Sequence, residues 1–278
     1  MNGKIIKNIS NDYTVLSNNQ YYVCKARGKI RNLKITPLVG DEVVFDERNN
    51  YILEIKPRRN GLVRPPICNV DQAFIITSAK EPDFSTNLLD KLITIIEFNH
   101  IRPVICFTKL DLLSNQELES MNIYINYYKK IGYQVFLNTE LDQIIQCLKN
   151  NVTVFTGQSG AGKSTLLNQL NKNLNIKTAP ISFALGRGKH TTRHTELIEM
   201  FDGFVADTPG FSSINFNELT KEDIRDQFIE FENYKELCEY RDCMHLLEPN
   251  CEIKRQIEND NILKSRYENY LKFISEKG

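Results

Sequence analysis

Hydrophobic and polar positions divide this 278-residue chain into three stretches with different periods. Residues 1–64 carry short runs rich in β-branched and aromatic residues, at 21–30 ("YYVCKARGKI") and 41–59, punctuated by Gly and Asn. Such runs predict the strands of a small all-β barrel. "RPP" at 64–66 stiffens the exit and predicts a boundary. From about residue 70 the pattern becomes strand–helix alternation. "QAFIITS" (72–78), "RPVICF" (102–107), "YQVFL" (133–137) and "VTVF" (152–155) read as buried strands. "NLLDKLITIIEF" (87–98), a helix opened by the Ser114/Glu117 capping-box spacing and ending near Gly132, and a short helix from Leu141 lie between them. Asp202-Gly203, flanked by "TELIEM" and "FVAD", predicts a tight hairpin. The expected fold is therefore multidomain, with an all-β barrel, a parallel-rich sheet covered by helices on both faces, and a helical C-terminal segment. Boundaries are expected at 1–64, 65–214 and 215–278. In the last segment, helices are expected near 221–232 and 254–275, too polar to build a large core.

Charge changes this picture locally. Lysine plus arginine and aspartate plus glutamate number 35 each, yet residues 1–64 hold twelve cations against six anions. Residues 215–278 hold ten against fifteen. A basic N-terminal segment suits a polyanion such as RNA. No run of ~18 apolar residues occurs, so no membrane span is expected. The stretch "MNGKIIKNIS" lacks an apolar secretory core, which points to the cytoplasm. There, seven cysteines suggest thiols or a metal site. Cys24, Cys68, Cys106 and Cys147 are scattered and read as small buried apolar residues.

Candidate chemistry starts at "GQSGAGKST": Gly157, Gln158, Ser159, Gly160, Ala161, Gly162, Lys163, Ser164 and Thr165. The pattern G-x-x-x-x-G-K-[ST] between a strand and an amphipathic helix predicts a phosphate-binding loop. Glycines let backbone N–H groups turn toward phosphate oxygens, Lys163 bridges the outer phosphates, and Ser164 ligates Mg²⁺. "DTPGF" (207–211) follows a strand, where Asp207 would hold the metal through water and the Gly210 N–H would bond the γ-phosphate. "GRGKHTTRH" (186–194) has the polar, glycine-broken character of a switch segment, with Thr191 or Thr192 as a further Mg²⁺ ligand. "TKLD" (Thr108, Lys109, Leu110, Asp111) ends a predicted strand. A carboxylate at Asp111 accepts both N1–H and the N2 amino group of guanine, and the Lys109 stem packs over the base. GTP is therefore expected. A P-loop ATPase, or an RNA-binding protein clamped by its nucleotide, stays open as an alternative.

The final cluster is "CEYRDCMHLLEPNC". Cys238, Cys243, His245 and Cys251 would form a closed tetrahedral zinc site, stapling the polar helices around it.

The order of these motifs, with the guanine reader ahead of the phosphate loop and both switch segments after it, resembles a circularly permuted GTPase. "TKLD", "GQSGAGKST", "GRGKHTT", "DTPGF" and the three-cysteine, one-histidine set together resemble the small ribosomal subunit biogenesis GTPases over essentially the whole chain. That resemblance implies an OB barrel of five strands, GTP hydrolysis to GDP stimulated by the small subunit, a monomer, and contact with that subunit and its 16S rRNA. It also favours His190 as the water-orienting group, since Phe211 stands where a glutamine acts in Ras-type enzymes. Two departures stand out. Thr108 replaces the family's usual Asn, so a weaker nucleotide grip is expected. The usual Ser-Ala guanine-side loop is "NTE", with Asn138 and Thr139 in its place.

Overall fold

The computed structural model describes residues 1–28, 30, 35–62, 66–173, 195–207 and 216–277. Strands β1 (Asn2–Ile9), β2 (Asp12–Ser17), β3 (Gln20–Ala26), β4 (Glu42–Asp46) and β5 (Tyr51–Ile55) close on themselves. β1 pairs antiparallel with both β2 and β4, β3 runs parallel to β5, and β4 pairs with β5. The circuit is therefore 1-2-3-5-4-1, the five-stranded barrel expected from the sequence. Ile5, Val15, Cys24, Val43, Phe45 and Ile52 fill its interior. A small ribbon of β6 (Gly61–Leu62) and β7 (Ile67–Cys68) leads out.

The α/β body uses β8 (Gln72–Ser78), β9 (Arg102–Thr108), β10 (Gln134–Leu137), β11 (Val152–Gly157), β12 (Glu196–Met200) and β13 (Gly203–Asp207). Their order is β10-β9-β8-β11-β13-β12, parallel throughout except for the β12–β13 hairpin. Alternation along each central strand sends side chains to both faces. Ala73, Ile75, Ile105 and Phe107 pack into one core with α1 (Thr86–Phe98) and α2 (Asn115–Lys130). Phe74, Ile76, Val104 and Phe155 pack into the other with α3 (Leu141–Leu148) and α4 (Lys163–Asn173). Ser85 caps α1, and Ser114 with Glu117 forms the predicted capping box on α2. The chain runs from β8 out to β10 and then returns to β11 on the far side of β8. That reversal opens a crevice at the C-terminal strand ends, where ligands bind in open α/β sheets. β12 also pairs with β1 through Lys7 and Glu196, so barrel and body share one 11-stranded sheet.

The C-terminal segment corrects two expectations. The helix expected over 221–232 is α5 (Lys221–Asp226) followed by a tighter turn at Ile229–Asn233. The helix expected over 254–275 is two helices, α6 (Glu252–Glu258) and α7 (Lys264–Ser275). Nor is the segment short of core. Phe216, Phe228, Phe231, Ile253, Tyr270 and Phe273 bury themselves together, with Ile95 and Phe98 of α1 against them. The aromatic residues that do this sit partly in turns, so helical periodicity underestimates them. Of the four scattered cysteines, Cys24, Cys68 and Cys106 are buried, whereas Cys147 is only half-buried. Among the described residues no helix is long and apolar enough to cross a membrane.

Candidate nucleotide site and metal centre

Gly157 ends β11 at φ 135°. A Cβ there would lie 2.0 Å from the Ile76 carbonyl oxygen on the neighbouring strand, so only glycine lets the loop leave the sheet at this point. Gly160 and Gly162 also have positive φ, at 81° and 93°. Gln158, Ser159 and Gly160 are exposed, Ala161 is buried, and Lys163 opens α4 with Ser164 and Thr165 exposed in its first turn. The Leu166 N–H donates to the Gly162 carbonyl at 2.9 Å, so the helix takes up its ladder at once. The resulting N-terminus, with backbone N–H groups unused by the helix, aims its dipole into the loop.

TKLD stands beside this loop. β9 lies one strand from β11, across β8. Thr108 is buried, and its Oγ1 donates to the Ala161 carbonyl at 2.7 Å. This bond ties TKLD to the GQSGAGKST loop across 53 residues. Lys109 adopts a left-handed backbone at φ 59°, and its Nζ donates to the Glu81 carbonyl. Leu110 and Asp111 lie in a short turn (Leu110–Leu112), with Asp111 exposed at the crevice end of the strand. The segment after β8 closes the other side, where Pro82 Cδ would be 3.6 Å from a Cβ on Gly160. Sequence spacing did not indicate that segment's role in holding Lys109. The only signal was its position after a buried strand.

The "NTE" loop also falls here. The Asn138 N–H donates to the Phe107 carbonyl at 2.9 Å, one residue before Thr108, and the Glu140 carboxylate takes the Leu137 N–H at 2.6 Å. Asn138 is half-buried and Thr139 exposed. Asp207 closes β13, with its backbone one position beyond the Val154–Ala206 pair and so close to the start of the phosphate loop. The side chain of Asp207 lies outside the described residues, as do His190, Thr191, Thr192 and Gly210 entirely.

At the other end of the molecule, one donor atom from each of Cys238, Cys243, His245 and Cys251 lies within 4.8 Å of the rest. His245 Nδ1 is 3.7 Å from Cys238 Sγ and 3.4 Å from Cys251 Sγ. A tetrahedron with bonds of about 2.0–2.3 Å has edges of roughly 3.5 Å, so the spacing suits zinc. Burial holds the His245 imidazole neutral, its pKa lowered to about 4, and pushes the Cys243 thiol up to about 12. A neutral imidazole is ready to ligate, and the buried thiolates need a bound cation to form. The Tyr267 hydroxyl donates to the His245 carbonyl at 2.6 Å, and Phe231 meets the ring edge-on at 5.3 Å. The first contact anchors the His245 backbone, and the second packs an aromatic edge against its ring.

A third constellation has no short-range sequence signal. Arg266 of α7, 1 % exposed, donates from Nε and Nη2 to Glu230 at 2.7 and 2.8 Å, and from Nη1 to Asp90 of α1 at 2.7 Å. Asp90 also accepts from the Tyr128 hydroxyl at 2.5 Å and from Asn269 at 2.6 Å. The guanidinium lies over the Phe228 ring at 4.5 Å. This buried network joins the C-terminal module to the first helix of the nucleotide-binding body.

Comparison with known proteins agrees with this arrangement. The family description "RsgA GTPase" matches residues 55–217, and "RsgA N-terminal domain" matches residues 2–52. The chain is 50% identical to Small ribosomal subunit biogenesis GTPase RsgA 2 of Oceanobacillus iheyensis, over 99% of this chain and 96% of that one. It is 48% identical to Small ribosomal subunit biogenesis GTPase RsgA of Enterococcus faecalis, over 99% and 95%. The crystal structure of YloQ, described as a circularly permuted GTPase, superposes with a TM-score of 0.85 at 38% identity, covering 99% of this chain and 94% of that chain. YjeQ from Thermotoga maritima gives a TM-score of 0.86 at 31% identity, covering 99% and 98%. Barrel, permuted nucleotide-binding body and three-cysteine, one-histidine cluster occur together in one chain, and it belongs to the RsgA GTPase family.

Proposed function

We propose that this protein hydrolyses GTP to GDP and phosphate while bound to the small ribosomal subunit in the cytoplasm, as a late maturation factor of that particle. One observation supports the nucleotide half of the reading: the 2.7 Å bond from Thr108 to Ala161, which brings TKLD beside GQSGAGKST despite their permuted order. In this reading Asp111 accepts both guanine N–H donors, the Lys109 stem covers the base, and the Asn138–Thr139 backbone closes its far side. The amides of Gly157–Thr165 and the ammonium of Lys163 stabilise charge that develops on the transferred phosphoryl group. Ser164, Asp207 and one of Thr191 and Thr192 would hold Mg²⁺, which would neutralise phosphate charge. Gly210 senses the γ-phosphate, and His190 orients the attacking water. One zinc ion per chain, on Cys238, Cys243, His245 and Cys251, is structural.

The barrel supports the RNA half. Tyr21 and Val23 on β3 are 61% and 60% exposed, and Lys25 of β3 lies beside the exposed Tyr51 of β5. Arg27, Tyr51 and Leu53 line a cavity of about 440 Å³ on the same surface. Exposed aromatics beside cations stack and neutralise single-stranded RNA, which fits 16S rRNA.

Turnover of GTP with purified small and large subunits added separately tests the whole reading. Stimulation by the small subunit alone is expected. A response confined to the large subunit would overturn the assignment. His190→Ala with normal GTP affinity and undiminished stimulated turnover would remove the histidine from the chemistry.

A further inference from the structure

The segment between β8 and α1, residues 79–84, is tied to the end of β9 along its length. The Ala79 N–H donates to the Thr108 carbonyl at 3.0 Å. The Lys109 ammonium donates to the Glu81 carbonyl, which leaves the aliphatic stem of Lys109 free to cover a base. Phe84 packs on Phe107 of β9 and Tyr124 of α2, with ring centroids 5.6 and 5.2 Å away. The Ser78 hydroxyl, at the end of β8, donates to the Lys80 carbonyl at 2.6 Å and turns the chain into this segment.

A further tie comes from the first turn of α2. Lys80 Nζ donates to both carboxylate oxygens of Glu117, at 2.9 and 3.1 Å. The same carboxylate accepts the Ser114 N–H at 2.7 Å in the capping box. A capping box takes Glu or Gln at this position, so the cap itself does not need the charge. Lys80 is what uses it. The Ser114 N–H, and after it the Lys80 ammonium, hold the Glu117 carboxyl down at about 2, so it is ionised at neutral pH. Lys80 and Glu117 are 36% and 45% exposed, so their pair adds little to global stability. Its effect is local. Lys80 directly precedes Glu81, which holds Lys109, and Ser114 stands three residues after Asp111. The ion pair therefore joins the two chain segments that flank the base-reading residues.

We propose that Lys80 and Glu117 are positioning residues for guanine-nucleotide binding: their ion pair latches residues 79–84 to α2, so that the Glu81 carbonyl holds Lys109 where its stem covers the base. Neither side chain touches the nucleotide. The inference rests on TKLD as the guanine reader. Equilibrium binding of GDP and GTP to the full-length protein and to its Lys80→Ala, Glu117→Gln, double and Lys80→Arg variants tests it. Each single variant should weaken GDP and GTP alike by about two- to fivefold, the range of a partly exposed ion pair. The double variant should be no weaker than either single one, because one latch is lost in all three. Lys80→Arg should restore affinity, and higher salt should narrow the gap between the parent and Lys80→Ala. Unchanged affinity in Lys80→Ala, or losses that add in the double variant, would overturn the latch. A loss confined to GTP would overturn it too, since Lys80 would then act on the γ-phosphate. A lowered melting temperature with unchanged affinity would reduce the pair to a support for α2. ATP binding as tightly as GTP in the parent would overturn the guanine reader itself.

Discussion

The barrel and the C-terminal module are both attached to the α/β body by apolar contacts, but only the second junction adds a buried ion network. The barrel continues the body's sheet through β1 and β12, and its interior merges with one face of the body in a single apolar cluster. The ion pair at that seam, Lys7 to Glu196 at 2.9 Å, is partly exposed on both sides. The C-terminal module rests on α1 through apolar contacts of Ile95 and Phe98 and, in addition, through a buried charged network in which one guanidinium serves two carboxylates. Apolar burial is non-directional and tolerates small shifts. A buried ion network requires its own geometry, because an unpartnered charge inside the protein is costly. The first junction is therefore a broad adhesive seam, and the second is a keyed one. The two segments proposed as switches, 186–194 and 207–211, precede the keyed module in sequence.

Four substitutions separate these cases, in falling order of effect. Arg266→Ala leaves Asp90 and Glu230 buried without their cation and should cost about 3–5 kcal/mol in urea unfolding. Adding Asp90→Asn and Glu230→Gln to it should recover part of that loss. A loss near zero for Arg266→Ala would mean that the network is not a key. Thr108→Val applies the same logic inside the nucleotide site. The shape is kept, the Ala161 carbonyl loses its buried donor, and GTP affinity should weaken by about 1–3 kcal/mol, while Thr108→Ser should stay near the parent. Equal GTP affinities for the Val and Ser variants would show that the hydroxyl braces nothing.

Glu97, beside the keyed junction on α1, gives a pH-dependent effect. Burial lifts its carboxyl to about 7 from 4.5, with Arg266 pulling the other way. The folded state thus holds this proton more tightly than the unfolded chain. Its contribution is complete below pH 4.5 and is lost as pH rises through about 7. Glu97→Gln should flatten that slope in pH-dependent melting and be the more stable form above pH 7. A parallel pair of melting curves would reject the raised carboxyl of this half-buried residue. The smallest effect belongs to the seam: Lys7→Met should change stability by less than about 1 kcal/mol. A loss as large as that of Arg266→Ala would erase the distinction between the two junctions.

What could be read along the chain was local. The phosphate loop needs glycines at fixed spacing next to one strand and one helix, so a short window contains its logic. The barrel and the alternating body follow from period and punctuation. Ser114 and Glu117 announced their helix for the same reason. The C-terminal core was hidden because Phe228 and Phe231 bury themselves from a turn, outside any helical repeat. Arg266 was hidden because its partners lie 36 and 176 residues away, and an arginine on a polar helix reads as solvated. Thr108 fell between these cases. Its departure from Asn was visible, but the Ala161 carbonyl that receives its hydroxyl is set by strand order, which only the folded sheet supplies.

Guanine selectivity through Asp111 is tested most directly by equilibrium binding of GTP, xanthosine triphosphate and ATP to the parent protein and to Asp111→Asn. The parent should prefer GTP, and the variant should lose GTP and gain the xanthosine nucleotide, because an amide donates where xanthine offers a carbonyl. Effective ATP competition in the parent, or unchanged GTP preference in the variant, would contradict a guanine site built from TKLD and the phosphate loop.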